Sequence, residues 1–355
     1  MAKPLMTGNV DPLLASEQEN STLSDFLIKK DVIMLKDLLD KKECFKLVCG
    51  AGNEDATEVE RLVTIYSLAG CNFFDLCAKP EIVDAAKRGL ERAGIKENRH
   101  LCVSVGIDGD PHITKAVIDQ TKCVKCGKCK LICPHDAVIE LDKYKVKKER
   151  CIGCTLCAKN CPKQAIEMIS QLQDYKEVLP KLIDKGIDCI EFHAISTDEK
   201  DVMEKWLQIN DFFDGMLCIS IDRSELGDKK LKERVKKMLS LRKPYTTIIQ
   251  ADGIAMSGSN DHFGTTLQAV ATAQLFENAN LPAYIMMSGG TNSKSIELAN
   301  MCDVKPHCLA VGSYARKIVK DYLTNDNLFN DPKLMEEAVK IAKELVNTIV
   351  GKNND

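Results

Sequence analysis

The sequence is short of several things that a specialised surface would need. Only 5% of its 355 residues are aromatic, with one tryptophan. No run of 18 apolar residues occurs, so no helix is expected to span a bilayer. Charge of one sign is missing too. The 49 Lys and Arg meet 52 Asp and Glu, a net −3, which argues against a nucleic-acid partner. The opening stretch MAKPLMTGNVDPLLASEQEN has neither an apolar signal core nor a twin arginine, so a cytoplasmic protein is expected. With 45% apolar and 28% charged residues, the chain is neither collagen-like, mucin-like nor largely disordered. Its length suits one large domain or two smaller ones with a sizeable core.

What is abundant is cysteine: 17 residues. In a long chain without a signal these read as metal ligands or buried thiols, not disulfides. Eight of them fall within 39 residues as two copies of one spacing. Cys123, Cys126, Cys129 and Cys133 precede Pro134; Cys151, Cys154, Cys157 and Cys161 precede Pro162. Each copy reads C-x2-C-x2-C-x3-C-P, with equivalent cysteines 28 positions apart. This is the pattern of bacterial two-cluster ferredoxins, in which the fourth cysteine ligates the other cluster. Cys123, Cys126, Cys129 and Cys161 are therefore expected to hold one [4Fe-4S] cluster, and Cys151, Cys154, Cys157 and Cys133 the second. Zinc knuckles need two C-x2-C pairs and no duplicated C-x3-C-P. A radical-SAM pattern fails because the cysteine after Cys133 is 18 positions on.

Between Lys122 and Lys163 there are 11 Lys or Arg against 4 Asp or Glu. This excess either balances the clusters' negative charge or forms a docking face for an acidic electron carrier. The other nine cysteines, at 44, 49, 71, 77, 102, 189, 218, 302 and 308, have no ligand spacing and read as small buried hydrophobes. Cys49, Cys77 and Cys102 stand out because they lie on the first three strands.

Outside the cysteine repeat, short apolar strands alternate with helical patterns. Eight strands are expected: Phe45–Ala51, Phe73–Ala78, Leu101–Asp108, Asp188–Ala194, Met216–Asp222, Tyr245–Asp252, Ala283–Ser288 and Cys308–Ser313. Eight strand–helix units imply a (β/α)8 TIM-like barrel, an α/β fold, with the α+β ferredoxin module inserted after strand three. The expected organisation is an N-terminal extension with a helix at 1–43, strands one to three at 44–117 and the insert at 118–168. Strands four to eight follow at 169–323, with a C-terminal helix and tail at 324–355.

Within strands, polar residues share one parity and gather toward the C-terminal end: Asp75 with Cys77, Ser104, Glu191 with His193, Ser220 with Asp222, and Gln250 with Asp252. In a barrel that parity faces the lumen mouth, where active sites lie. These residues either form a polar network that closes the barrel or contact a ligand. Glu191, His193 and Asp252 are the candidates for catalysis, with the Glu191–His193 couple first for acid–base work. Ser288, Gly289, Gly290, Gly312 and Ser313 lie at the ends of strands seven and eight, where barrels bind phosphate. The loop with Met256-Ser257-Gly258 and the run Asp261 to Gly264 is a candidate lid. His100, His112, His135 and His307 read as surface or structural residues.

Several of these segments resemble one family. They are Lys46 to Ala51, Tyr66 to Gly70, the duplicated cysteine motifs, Gln250 to Gly253, Met256 to Gly258, Gly264 to Thr266, Gly289 to Asn292 and Gly312 to Arg316. From about residue 44 to about 323 the chain is similar to the light-dependent period protein A (LdpA) family, iron–sulfur proteins of cyanobacteria. The resemblance implies two clusters and a redox-sensing role that informs the circadian clock. Three functions are then in play: a redox sensor or electron carrier with a redox partner; a ferredoxin-fused barrel oxidoreductase taking a small-molecule ligand such as FMN; and a scaffold whose clusters only keep the insert folded.

Overall fold

The computed structural model describes residues 34–350 except 96, 109, 111, 112, 225 and 255–259. His112 and the Met256-Ser257-Gly258 loop therefore lie outside the described residues. Twelve strands follow one another: β1 (Cys44–Val48), β2 (Phe73–Cys77), β3 (His100–Gly106), β4 (Thr114–Ile118), β5 (Val138–Glu140), β6 (Tyr144–Val146), β7 (Ile166–Ser170), β8 (Cys189–His193), β9 (Met216–Ile221), β10 (Thr247–Asp252), β11 (Tyr284–Ser288) and β12 (Cys308–Val311). Eight of them close a parallel barrel in the order β1-β12-β11-β10-β9-β8-β3-β2. The expected strands and these eight coincide, differing only at their ends.

Helix boundaries follow local chemistry. Asp55 caps the helix Ala56–Leu68 by accepting from Glu58 N at 3.1 Å, and Asp198 caps Glu199–Phe212 in the same way. Helix Pro80–Ala93 opens on proline and stops at Gly94, whose φ is 66°. Asp331 and Pro332 start the last helix, Pro332–Val346.

The strand parity divides two cores. Leu47, Val103, Phe192 and Ile219 point outward and pack under the helices. Cys44, Phe73, Cys102, Cys189, Cys218, Met286 and Cys308 fill the closed end of the lumen, where Leu35 and Leu39 of the helix at 34–40 seal it. Tyr284 Oη donates to Asp40 at 2.7 Å and fastens this plug. Five of the nine non-motif cysteines thus pack as apolar lumen filler. Cys49 and Cys77 belong to the outer core. For Cys77 this departs from the lumen parity expected of it beside Asp75, because β2 ends there and the chain turns into the next helix.

The insert leaves from the C-terminal end of β3. Its two edge strands, β4 and β7, pair antiparallel from Thr114↔Ser170 to Ile118↔Ile166, so its sheet reaches a few residues beyond 118–168. The 28-residue repeat is visible in the backbone. Positive φ recurs at Lys125 and Gly153, at Gly127 and Thr155, and at Asp136 and Gln164, each pair 28 residues apart.

Candidate functional site: two cysteine cages above a polar barrel mouth

The eight motif cysteines converge on two small cavities. One is lined by Cys123, Cys126 and Cys129 with Cys161. The other is lined by Cys151, Cys154 and Cys157 with Cys133. Each cage thus draws three sulfurs from one repeat and the fourth from the other, which is the donor set a cubane cluster needs. None of the 17 cysteines is in a disulfide. Ala137 N and Ala165 N each lie 3.3 Å from the sulfur four residues back, Cys133 and Cys161, and Ala116 N donates to Cys151 at 3.4 Å. Such N–H···S bonds tune a bound cluster's potential. Burial, with Cys154 and Cys151 close by, pushes the Cys157 thiol up to about 12. Holding it as a thiolate calls for a cationic partner such as iron. Bound there, each cluster supplies one electron at a time.

The second cage sits on the barrel mouth. Lys115 on β4 is buried and donates to Gly52 O at 2.6 Å and to Cys151 O at 2.8 Å, and it pairs with Glu54 at 3.0 Å. Glu54 N donates to Glu149 O at 2.7 Å, and Arg150 pairs with Asp55 at 2.9 Å. Ile152, between the cage residues Cys151 and Cys154, lines the mouth cavity, which measures about 180 Å³.

That cavity collects Glu191, His193, Asp252 and Asp75, together with Ser288, Gly289, Gly290, Gly312 and Ser313. The candidate acid–base and phosphate residues are thus in one place. Gly289 and Gly290 have φ of 67° and 80°, a backbone that glycine adopts without strain. A Cβ on Gly289 would meet Gly253 N at 2.7 Å. Among the described residues, no acceptor takes the N–H of Gly289, Gly290, Thr291 or Ser313. Arg316 also lines the cavity, held by Glu58 at 2.7 Å and by Cys49 O. Arg316 and Ser313 are shared with a groove of about 790 Å³ between module and barrel. The lid run is represented by Asp261, which accepts from Ser293 Oγ at 2.7 Å, and by His262 at the start of helix Phe263–Glu277.

Below the mouth is a charge network built round a residue the strand parity did not flag. Lys46 on β1 is fully buried. It binds Glu191, reaches Gln250 Oε1 at 3.4 Å and lies 3.7 Å from Asp75. Burial works against its ammonium, yet Cys102, Glu191 and Asp75 hold the pKa well above the usual lysine value. The signal was available: Lys46 is the one cation on the lumen parity of β1. His193 lies between two carboxylates, with Nδ1 2.6 Å from Asp110 and Nε2 3.1 Å from Glu191. Against burial, they raise its pKa well above 6.5. Both of its ring nitrogens face a carboxylate, which favours the protonated ring. Burial is likewise overcome at Glu191, which Lys46 and His193 bring down to about 2. Burial wins at Asp75 and Asp252 and pushes both to about 6. Burial thus sets Asp75 and Asp252 nearest neutral pH, while Glu191 and His193 face one another at 3.1 Å. Of the lone histidines, His100 is buried 3.6 Å from Asp188, and His307 Nδ1 accepts from Ile285 N at 3.1 Å. His135 lines the module–barrel groove, its pKa brought down to about 2 by burial and by Arg316 and Lys320.

Together the barrel and its eight-cysteine insert define an iron–sulfur protein with two [4Fe-4S] clusters on a TIM-like scaffold. Residues 116–168 match the 4Fe-4S dicluster domain family, and residues 181–348 the light dependent period A C-terminal domain. The light dependent period A protein of Synechococcus elongatus is 29% identical over 324 residues, 85% of this chain and 90% of that one. The chain is thus similar to LdpA proteins in both its dicluster segment and its C-terminal domain. Among solved structures it is similar to the YdjI aldolase from Escherichia coli K12, with TM-score 0.47, 8% identity, and coverage of 91% of this chain and 97% of that one. It is also similar to the tryptophan synthase alpha chain of Legionella pneumophila, with TM-score 0.45, 10% identity, and coverage of 92% and 98%. No helix among the described residues is long and apolar enough to cross a membrane.

Proposed function

We propose that the protein transfers electrons between an external one-electron carrier and a ligand in the barrel mouth, with the second cysteine cage as the inner relay. One observation carries this reading: Ile152, flanked by cage residues, is part of the mouth wall. A scaffold role for the insert would not require a cage loop at the ligand cavity. Redox sensing, the role the resemblance implies, uses the same wiring, with ligand occupancy or oxidation state as the output. The lysine-rich outer face suits an acidic carrier.

The ligand we favour carries a phosphate. The free N–H groups of Gly289, Gly290, Thr291 and Ser313 would receive it, with Arg316 beside them. The mouth alone is smaller than a usual cofactor pocket of about 300–1,000 Å³. The groove beyond Arg316 supplies the remaining room for a flavin nucleotide, which would make the protein an oxidoreductase. The test is anaerobic purification followed by absorption and EPR spectra, iron analysis and chromatography of whatever denaturation releases. About eight irons per chain with a reducible cluster signal and a released nucleotide support the full reading. Clusters that never reduce at accessible potentials would overturn it. Reducible clusters with no nucleotide would leave electron transfer and remove the flavin.

A further inference from the structure

We propose that Asp252 and Asp75, on either side of Glu191 in the barrel order, carry protons that move together with the electrons reaching the barrel mouth. This rests on the mouth being an electron-accepting site.

The first support is a charge count. Among the described residues, the buried polar lumen holds two cations, Lys46 and His193, against four carboxyls, Asp75, Asp110, Glu191 and Asp252. Glu191 and Asp110 neutralise the cations. Asp75 shares Lys46 with Glu191 at 3.7 Å, and Asp252 is ion-paired with no cation among the described residues, so two carboxyls are in excess, and an unbalanced buried carboxylate is costly. Protons are the remaining way to balance the site.

The second support is a repeated device. Asp75 on β2 accepts from Ser104 on β3 at 2.5 Å. Asp252 on β10 is bound by Ser220 on β9. A serine hydroxyl donates to a carboxylate and accepts from a carboxylic acid. Each aspartate therefore keeps a satisfied partner in both protonation states, as a proton carrier requires. The two couples flank Glu191 from opposite sides of the barrel order.

The third support is position. Asp252 lines the same cavity as Ile152 of the second cage. No Lys, Arg or His among the described residues is ion-paired with it. The groups facing it are Glu191 and His193 from β8, Cys218 and Ser220 from β9, its neighbour Gln250, and Ser288 from β11. Asp75 faces Lys46 from β1, Ser104 from β3, and Glu191 and His193 from β8.

The step balances. When the external carrier delivers an electron, Asp252 takes a proton from solvent and an O–H bond forms. When that electron passes on, the O–H bond breaks. The proton goes to the acceptor atom that gains the electron, and a carboxylate remains. Asp75 serves a second electron in the same way. The ligand class is an organic acceptor that gains two electrons and two protons.

The test uses the anaerobic holoprotein without added ligand. Infrared spectra from pH 5 to 8 should show protonated carboxyl bands that titrate near 6, the value to which burial pushes both aspartates. One band should be lost in Asp252→Asn. By linkage, reduction and protonation favour one another equally. The potential of the second cluster should then be flat below about pH 6 and fall above it, and the fall should be lost in Asp252→Asn. Ser220→Ala, which keeps the carboxyl, should shift the band without removing it and guards against a misfolded Asn variant. An unchanged pH slope in Asp252→Asn, or no protonated carboxyl near pH 6, overturns the proposal. Clusters that cannot be reduced at all would instead defeat the electron-transfer reading beneath it.

Discussion

The buried ammonium of Lys115 donates to the carbonyl of Cys151 at 2.8 Å, and so a strand of the insert holds the loop of the second cage against the barrel. The same ammonium reaches Gly52 O at 2.6 Å and Glu54 at 3.0 Å. Lys115→Ala would leave two carbonyls and a carboxylate short of a partner. A loss of about 3 kcal/mol is expected, measured by denaturant unfolding. Hydrogen exchange should rise in the 148–154 loop first. Unchanged exchange there would mean that the loop is held by other contacts.

Cluster content should follow cage membership and not sequence order. Cys161→Ala and Cys129→Ala should empty the same cage, and Cys133→Ala should act with Cys157→Ala. Each is expected to reduce iron from about eight to about four per chain. EPR of the two groups should show complementary signals. Identical spectra for Cys161→Ala and Cys157→Ala would contradict the crossed assignment.

Lys46→Met removes the cation between Glu191 and Asp75 and leaves both carboxyls in the lumen. Destabilisation of about 3–5 kcal/mol is expected. A double variant, Lys46→Met with Glu191→Gln, should recover part of it, because the pair acts as a unit. Additive losses in the double variant would show the two side chains to be uncoupled.

The lumen also sets a pH profile. Folding raises the pKa of Asp75 and Asp252 from 3.8 to about 6. The folded state therefore binds their protons more tightly. That contribution is fully present below pH 3.8 and is lost as pH rises through about 6. Glu191 acts oppositely, with stability present above 4.5 and lost only as pH falls through about 2. His135 and His307, held neutral by burial, oppose the aspartates by adding stability as pH rises toward 6.5, and His193 adds a loss above 6.5. The aspartates are therefore read by difference: relative to Asp252→Asn, the parent's unfolding midpoint should decline from pH 3.8 to about 6.

Gly289→Ala tests the phosphate loop. The new Cβ would strain a φ of 67° and press on Gly253 N at 2.7 Å. A cost of about 1–3 kcal/mol is expected, with weaker binding of inorganic phosphate by calorimetry. Binding equal to that of the parent protein would place the anion elsewhere.

Much of this was legible in the chain. The cysteine repeat names its donors because a cubane cage needs three closely spaced thiolates and one from afar. The barrel is legible because strand and helix periods differ and alternate. Strand parity correctly brought Glu191, His193, Gln250 and Asp252 to one cavity wall. It misplaced Cys77, since parity loses meaning where a strand ends. It passed over Lys46, although Lys46 shares the lumen parity of β1 with Cys44.

The residue types and their spacing by themselves determined the two clusters, the eight-strand alternation and the polar end of the lumen. These depend on short-range geometry, in which each residue's neighbours are its neighbours in sequence. Only the tertiary structure decided that the second cage lies on the mouth, that His193 is locked by Asp110, and that Lys46 meets Glu191. Those contacts join segments far apart in the chain, and barrel closure and the docking of the insert bring them together. Charge balance in a buried space is a property of everything gathered there, and no local pattern carries it.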